Sequence, residues 1–361
     1  MKFAILKNGI KPEGLRIFEK IVPSFLKHGH CLTENTDDVN FVLNLTNIDS
    51  PQIFRRRSKA IFVITFVVAD SVYNNLSAIC YQTLIRSLSN MVVCIIPGKP
   101  NADIIFTTPE AGFYSLPFDP DEVYKRILPI ASAHFAIDNC IDTNLPPDSW
   151  VTTPIVEQIK NYGRELDALG VLPTPFPLHD VLPQKDIDQL YHLFEVKGIS
   201  YGNLSARERI PGFKKDNTFW MTARGIDKSN IQKIGHEILL VHGIEDETAT
   251  MLVSVPPDYN PRARVSVDAV EHELIYRTFP EVGAIIHVHA WLPGVPCTRQ
   301  NYPCGTIELA HEVVELLKSC EQPARTAVGL KNHGLTITGL DLEDIFSRIR
   351  GKLQTEVAMF A

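Results

Sequence analysis

The sequence predicts an α/β protein of two units, and three observations carry that prediction. Short β-branched apolar runs alternate with helix-period segments from Phe3 to Phe135. The 361-residue length exceeds that of one ordinary domain. A Pro-rich stretch, Pro146-Pro147 followed by Pro173, Pro175, Pro177 and Pro183, separates two apolar-patterned halves. We therefore expect an N-terminal open, mainly parallel sheet with helices on both faces over residues 1–145, then a linker containing one helix at 146–186. A second α/β unit is expected at 187–361.

Phe3–Leu6 reads as the first strand, and Pro12–Leu26 has the helical spacing of apolar residues. Val39–Leu45 and Ala60–Ala69 are strands. Val72–Leu88 is a helix, and Met91–Ile96 is a strand ending at Pro97-Gly98. Asp103–Thr107 adds a strand and Asp121–Phe135 a helix, which gives a Rossmann-like or flavodoxin-like layout. Ligands of such sheets bind at the carboxyl ends of the strands. Lys7-Asn8-Gly9 and Thr46-Asn47 follow the first two strands and read either as ligand contacts or as ordinary polar turns. There is no GxGxxG and no GxxxxGK[ST], so no dinucleotide or P-loop assignment follows and the role of this unit stays open. Pro154–Leu169 is helical and belongs either to the linker or to the second unit. Ile187–Val196 forms a helix leading into a turn at Gly198.

Composition narrows the partners. Hydrophobic residues make up 45 %, enough to bury two cores. The net charge of −7, with no basic run, argues against nucleic acid. Seven cysteines, an odd number without CxxC spacing, suit a reducing cytoplasm better than a disulfide framework. Met1–Lys7 is too short an apolar run for a signal peptide. Ile61–Ala69 is only a strand's length, so no membrane span is expected.

The chemistry concentrates in His287-Val288-His289. Ile285, Ile286 and Val288 are apolar and β-branched, so the segment reads as a buried strand. Residues i and i+2 share a face of a strand, which sets the two imidazoles side by side. Asn332-His333-Gly334, where the strand beginning at Val328 runs into a Gly turn, supplies a third. Three nitrogens with one position open is the ligand count of a catalytic divalent-metal site. Zn²⁺ is the first choice, with Mn²⁺, Co²⁺ and Fe²⁺ as alternatives. The competing reading is a set of core histidines, which would need polar partners for every ring in one small volume.

From about residue 187 onward the chain resembles the class II aldolase/adducin family. Gly198-Ile199-Ser200-Tyr201-Gly202-Asn203-Leu204-Ser205-Ala206-Arg207 is similar to the family's GNxSxR turn, and Phe219–Ile226 to its ITPSG strand and loop. Val265-Ser266-Val267-Asp268, then His272, Tyr276, Pro280 and the HxH pair, resembles PSSE/D…H…Y…P…HxH. Lys331–Leu335 resembles the final NHGL.

The resemblance implies an α/β/α domain holding a divalent metal on His287, His289 and His333. It implies a lyase that cleaves a small hydroxylated, phosphorylated or carboxylated carbonyl compound through a metal-stabilised enediolate. Gly202 and Asn203 would hold the substrate's anion, or else form a tight turn that needs glycine. Gly225 and Ser266 extend that anion site. Arg224 stands where the family has Ser or Thr, either as a forked anion donor or as a solvated loop charge. Asp268 matches the family's proton-transferring carboxylate and equally reads as a helix N-cap before Ala269–Arg277. His272 reads as support for packing around the site. The family also implies a homo-oligomer, a tetramer with sites between subunits.

Two family segments have no match: the strand and loop after HxH that carries an acid/base Tyr or Asp, and the tail with another Tyr. Tyr201 or Tyr302 would have to compensate. Epimerisation, dehydration or decarboxylation at the same metal, and a non-catalytic adducin-like assembly module, are the alternative functions.

Overall fold

The computed structural model describes residues 1–69, 74–98, 102–110, 112–172, 179, 182–193 and 201–361. The expected Val72 start of the second helix, Pro173, Pro175 and Pro177, the end of the Ile187–Val196 helix and the Gly198 turn lie outside these residues.

The first sheet contains β1 (Lys2–Asn8), β2 (Cys31–Leu32), β3 (Phe41–Thr46), β4 (Phe62–Val68), β5 (Met91–Ile96), β6 (Asp103–Thr107) and β7 (Phe113–Pro117). Their order is β2-β1-β3-β4-β5-β6-β7. The pairs from β2 through β5 are parallel, whereas β6 and β7 run antiparallel at the edge. The helices α1 (Pro12–Lys27) and α3 (Pro120–Ala131) bury Phe18, Ile21, Phe25 and Ile127 against Phe3, Phe41 and Phe66 on one face. The stacked rings of Phe3 and Phe41, with centroids 5.3 Å apart, and the edge contact of Phe18 on Phe66 at 4.9 Å order this layer. The opposite face carries α2 (Leu76–Ser87), whose Cys80, Tyr81, Leu84 and Ile85 meet Val67, Val92 and Cys94. Helices thus cover both faces of a mainly parallel sheet, as the β/α alternation predicts. The edge strand β7, like the short β2, is an element the sequence hides. Only Tyr114 and Leu116 are buried, and it ends on Pro117, a residue tolerated at an edge because no ladder hydrogen bond is lost there.

The second sheet comprises β8 (Asp138–Asp142), β9 (Asn203–Arg207), β10 (Phe219–Thr222), β11 (Ile238–Glu245), β12 (Thr250–Ser254), β13 (Ala284–Val288), β14 (Ala327–Leu330) and β15 (Gly334–Gly339). The order is β14-β15-β13-β9-β10-β11-β12-β8, antiparallel except for β12 with β8. Alternate residues feed two cores, as the pleat requires. Phe219, Met221, Leu239 and Ile285 face α6 (Ala269–Thr278) and α7 (Ile307–Lys318). Trp220, Leu240, Ile286 and Val288 face α4 (Pro154–Ala168) and α8 (Leu342–Ile349). The helix at Pro154 therefore packs on the second sheet. In contrast, α5 (Gln184–Leu193) leans on the first unit: Ile187 joins the α2 layer and buried Asp186 pairs with Arg86 at 2.6 Å. Among the described residues no helix is long and apolar enough to cross a membrane.

Gly283 lets the strand carrying the histidines start against the β15–α8 corner, because a Cβ there would lie 1.8 Å from the Leu340 carbonyl oxygen. Gly283→Ala should therefore lower the unfolding free energy by about 1–3 kcal/mol through backbone displacement, read from the urea midpoint.

Candidate metal centre

β13 presents His287 from the centre of the sheet, and His289 follows just past its end. The β14–β15 hairpin delivers His333 from its turn, where Asn332 takes a left-handed φ of 57°. That Asn332 conformation is held by two hydrogen bonds, since its amide donates to the Phe360 carbonyl at 3.0 Å and accepts from the Phe360 N–H at 2.6 Å. All three imidazoles are buried, and one ring nitrogen from each lies within 4.8 Å of the others. The His289 and His333 Nε2 atoms are 3.1 Å apart. The His287 Nδ1–H donates to the Leu335 carbonyl at 3.0 Å, which fixes the tautomer and leaves Nε2 a lone pair with no hydrogen-bond partner among the described residues.

Two touching imidazole nitrogens alone could share a proton in an ordinary core contact. The orphaned third nitrogen is what that arrangement does not satisfy, and three lone pairs converging on one volume suit a cation. Burial pushes His333 down to about 3, carries His289 well below its ordinary value and lowers His287, with the Asp268 charge working against the shift at His287 and His333. The rings are therefore neutral, the form a metal needs.

Asp268 sits at the N-cap position of α6, yet its side chain makes no capping bond. It turns instead to Asn203, whose amide donates to Asp268 Oδ2 at 2.7 Å and to Ser266 Oγ at 3.1 Å. Of the two readings of Asp268, position gives the cap and geometry gives the site. Gly202 has φ +82°, and a Cβ there would lie 2.6 Å from the His287 carbonyl oxygen, so the tight-turn demand for glycine is real at this position. Gly225 also holds a positive φ, 64°. Arg224 is half-buried and donates from Nη2 to the Ile137 carbonyl at 3.2 Å, so it is directed inward and is not a solvated loop charge.

The two tyrosines behave differently from the compensation expected of them. The Tyr201 ring stacks on His289 with centroids 4.3 Å apart, but its hydroxyl meets the Tyr81 hydroxyl at 3.2 Å and the Pro109 carbonyl, away from the trio. Burial raises it well above the ordinary phenol range. Tyr302 packs between the two units' apolar cores. His272 supports from behind: its Nδ1 meets Ser205 Oγ at 2.7 Å, and that hydroxyl also meets Tyr276 at 2.8 Å.

Two buried charges escaped the sequence reading. Glu271, a helix acid by pattern, receives the Thr336 hydroxyl at 2.5 Å, and burial, with Asp268 beside it, raises it to about 8. Lys228, in the polar run Asp227-Lys228-Ser229-Asn230, looks like a loop lysine. Burial drives it down to about 7, against the pull of Asp268 and Asp227.

His272 generates a pH prediction. Its folded value, pushed to about 3 by burial, lies below the ordinary 6.5, so between those limits the unfolded chain binds the extra proton. Metal-free protein should lose stability as pH falls from 6.5, on the order of 1 kcal/mol per pH unit from this group. His272→Gln should flatten the slope of urea midpoint against pH by that amount.

No curated protein matches the chain. Among solved structures it is similar to YgbL from Klebsiella pneumoniae, a candidate aldolase/epimerase/decarboxylase, at 18 % identity and TM-score 0.33, covering 54 % of this chain and 82 % of that one. YgbL from Escherichia coli is similar at 16 % identity and TM-score 0.34, with the same coverage. Residues 187–292, which run from α5 through β13 and include the HxH pair, match the family model described as Class II Aldolase and Adducin N-terminal domain.

Proposed function

We propose that the protein is a divalent-metal-dependent enzyme of carbonyl chemistry, with aldolase-type C–C cleavage as its reaction. The observation that carries this reading is the unpartnered His287 Nε2 facing His289 and His333 in a buried volume. His287, His289 and His333 would hold the ion, with Zn²⁺ suited to three nitrogens and an open position. When bound, the ion supplies a full positive charge that polarises a carbonyl and stabilises negative charge developing on its oxygen.

The chain's own groups supply the rest. The Asn203 amide fixes Asp268 Oδ2, leaving Oδ1 to take a substrate hydroxyl proton as the adjacent C–C bond breaks. Gly202, Ser266, Arg224 and Gly225 are proposed to receive the substrate's phosphate or carboxylate, Arg224 as its charged donor, while Asn203 donates its amide hydrogens to Ser266 and Asp268. A small anionic hydroxycarbonyl compound is the substrate class that this set fits. Epimerisation, dehydration and decarboxylation develop the same charge at a carbonyl. They are supported by Asp268 matching the Asp form of the PSSE/D segment that the chain resembles, and product analysis separates them. An assembly module without catalysis has no use for three buried neutral imidazoles, and the trio argues against it. Assembly into a tetramer is part of the proposal, read by light scattering.

Elemental analysis should find about one divalent metal per chain in the wild type and a loss of it in His287→Ala and in His333→Ala. Metal-free wild type after dialysis against Zn²⁺ or Mn²⁺ would end the proposal. Asp268→Asn should keep the metal and slow turnover by about 100-fold or more.

A further inference from the structure

The N-terminal unit reaches the metal centre through one turn. Between β6 and β7, the Thr108 N–H closes onto the Gly112 carbonyl at 3.2 Å, and Pro109 and Glu110 lie within that turn. It contacts three residues that flank the centre, Tyr201, Asn332 and Cys304. The Tyr201 hydroxyl donates to the Pro109 carbonyl, and the ring of that tyrosine lies on His289. Gly112 fits against the carbonyl oxygen of Asn332, the neighbour of His333, where a Cβ would come within 2.8 Å. Glu110 is 8 % exposed, and its Oε1 accepts the Cys304 N–H at 3.1 Å. The next residue, Gly305, rests on the Val267 carbonyl beside Asp268. The Glu110 charge is felt at His287, Tyr201 and Cys304. A carboxylate is thus buried beside the segments that carry Tyr201, Asn332 and Cys304, and its hydrogen bond crosses to the second unit.

We propose that Glu110 is a catalytic acid/base of the His287/His289/His333 centre, supplied by the N-terminal unit of the same chain. It works at carbon, while Asp268 works at the hydroxyl. Glu110 takes the proton from the carbon next to the substrate carbonyl: the C–H bond breaks, its electron pair stays on the carbonyl fragment as an enediolate, and an O–H bond forms on Glu110. The reverse step returns the proton to that carbon. This gives the first unit a chemical task and fills the place of the absent tyrosine segment. The inference rests on the metal-centre reading above.

The test uses the full chain loaded with Zn²⁺ and glycolohydroxamate, a two-oxygen chelator that mimics an enediolate and loses a proton on chelation. Elemental analysis comes first, on wild type and on Glu110→Gln, which keeps the acceptor for the Cys304 N–H. Both should hold equal metal. Titration calorimetry in buffers of different ionisation enthalpy then counts the protons released on hydroxamate binding at pH 7. Glu110→Gln should release more protons per site than the wild type, because the variant lacks the carboxylate that receives the proton displaced from the hydroxamate. Equal counts in the two proteins, loss of metal from Glu110→Gln alone, or metal-loaded wild type that fails to bind the hydroxamate would each overturn the role of Glu110. Wild type that takes up no metal would overturn the metal-centre reading itself, and with it this inference.

Discussion

The backbone of the strand carrying the histidines is gripped from both sides with no space to spare, and the rest of the centre depends on that contact. Gly202 lies against the His287 carbonyl, and a Cβ at Gly334 would come within 2.3 Å of the Val288 carbonyl oxygen. Any side chain at either position would push a neighbouring segment away from β13. The first contact sets Asn203, and through it Asp268. The second sets the hairpin turn that delivers His333. Ligands from one strand and one turn, and a carboxylate from a helix start, meet because two glycines permit backbones to touch.

That closeness makes the site dry, and dryness governs its electrostatics. Burial favours neutral forms, so imidazoles fall, Glu271 rises to about 8 and Lys228 falls to about 7. A cation entering this volume meets ligands that need not release a proton first. It also meets buried groups whose protonation sits close to neutrality, the condition under which proton transfer costs least. The same low polarity strengthens the Asn203 hydrogen bond to Asp268.

The two units are joined by more than a linker. Asp138–Asp142 extends the second sheet as its edge strand, α5 leans back on α2, and the Pro109 carbonyl accepts the Tyr201 hydroxyl. Each contact exchanges an element across the boundary.

The local periods of the chain were legible without coordinates. Alternation of period two in Ile285–His289 set both imidazoles on one face, and the β/α alternation from Phe3 onward defined a mainly parallel sheet flanked by helices. These features are local because side-chain direction in a strand or helix depends on neighbouring residues alone. The sequence by itself therefore determined which imidazoles share a face and the class of fold. Tertiary structure alone decided where the Tyr201 hydroxyl points, that Lys228 and Glu271 are buried, that Asp268 leaves its cap for Asn203, and that Glu110 arrives from the other unit. Those outcomes depend on which distant segments exclude water from one another, and no periodicity in the chain encodes that.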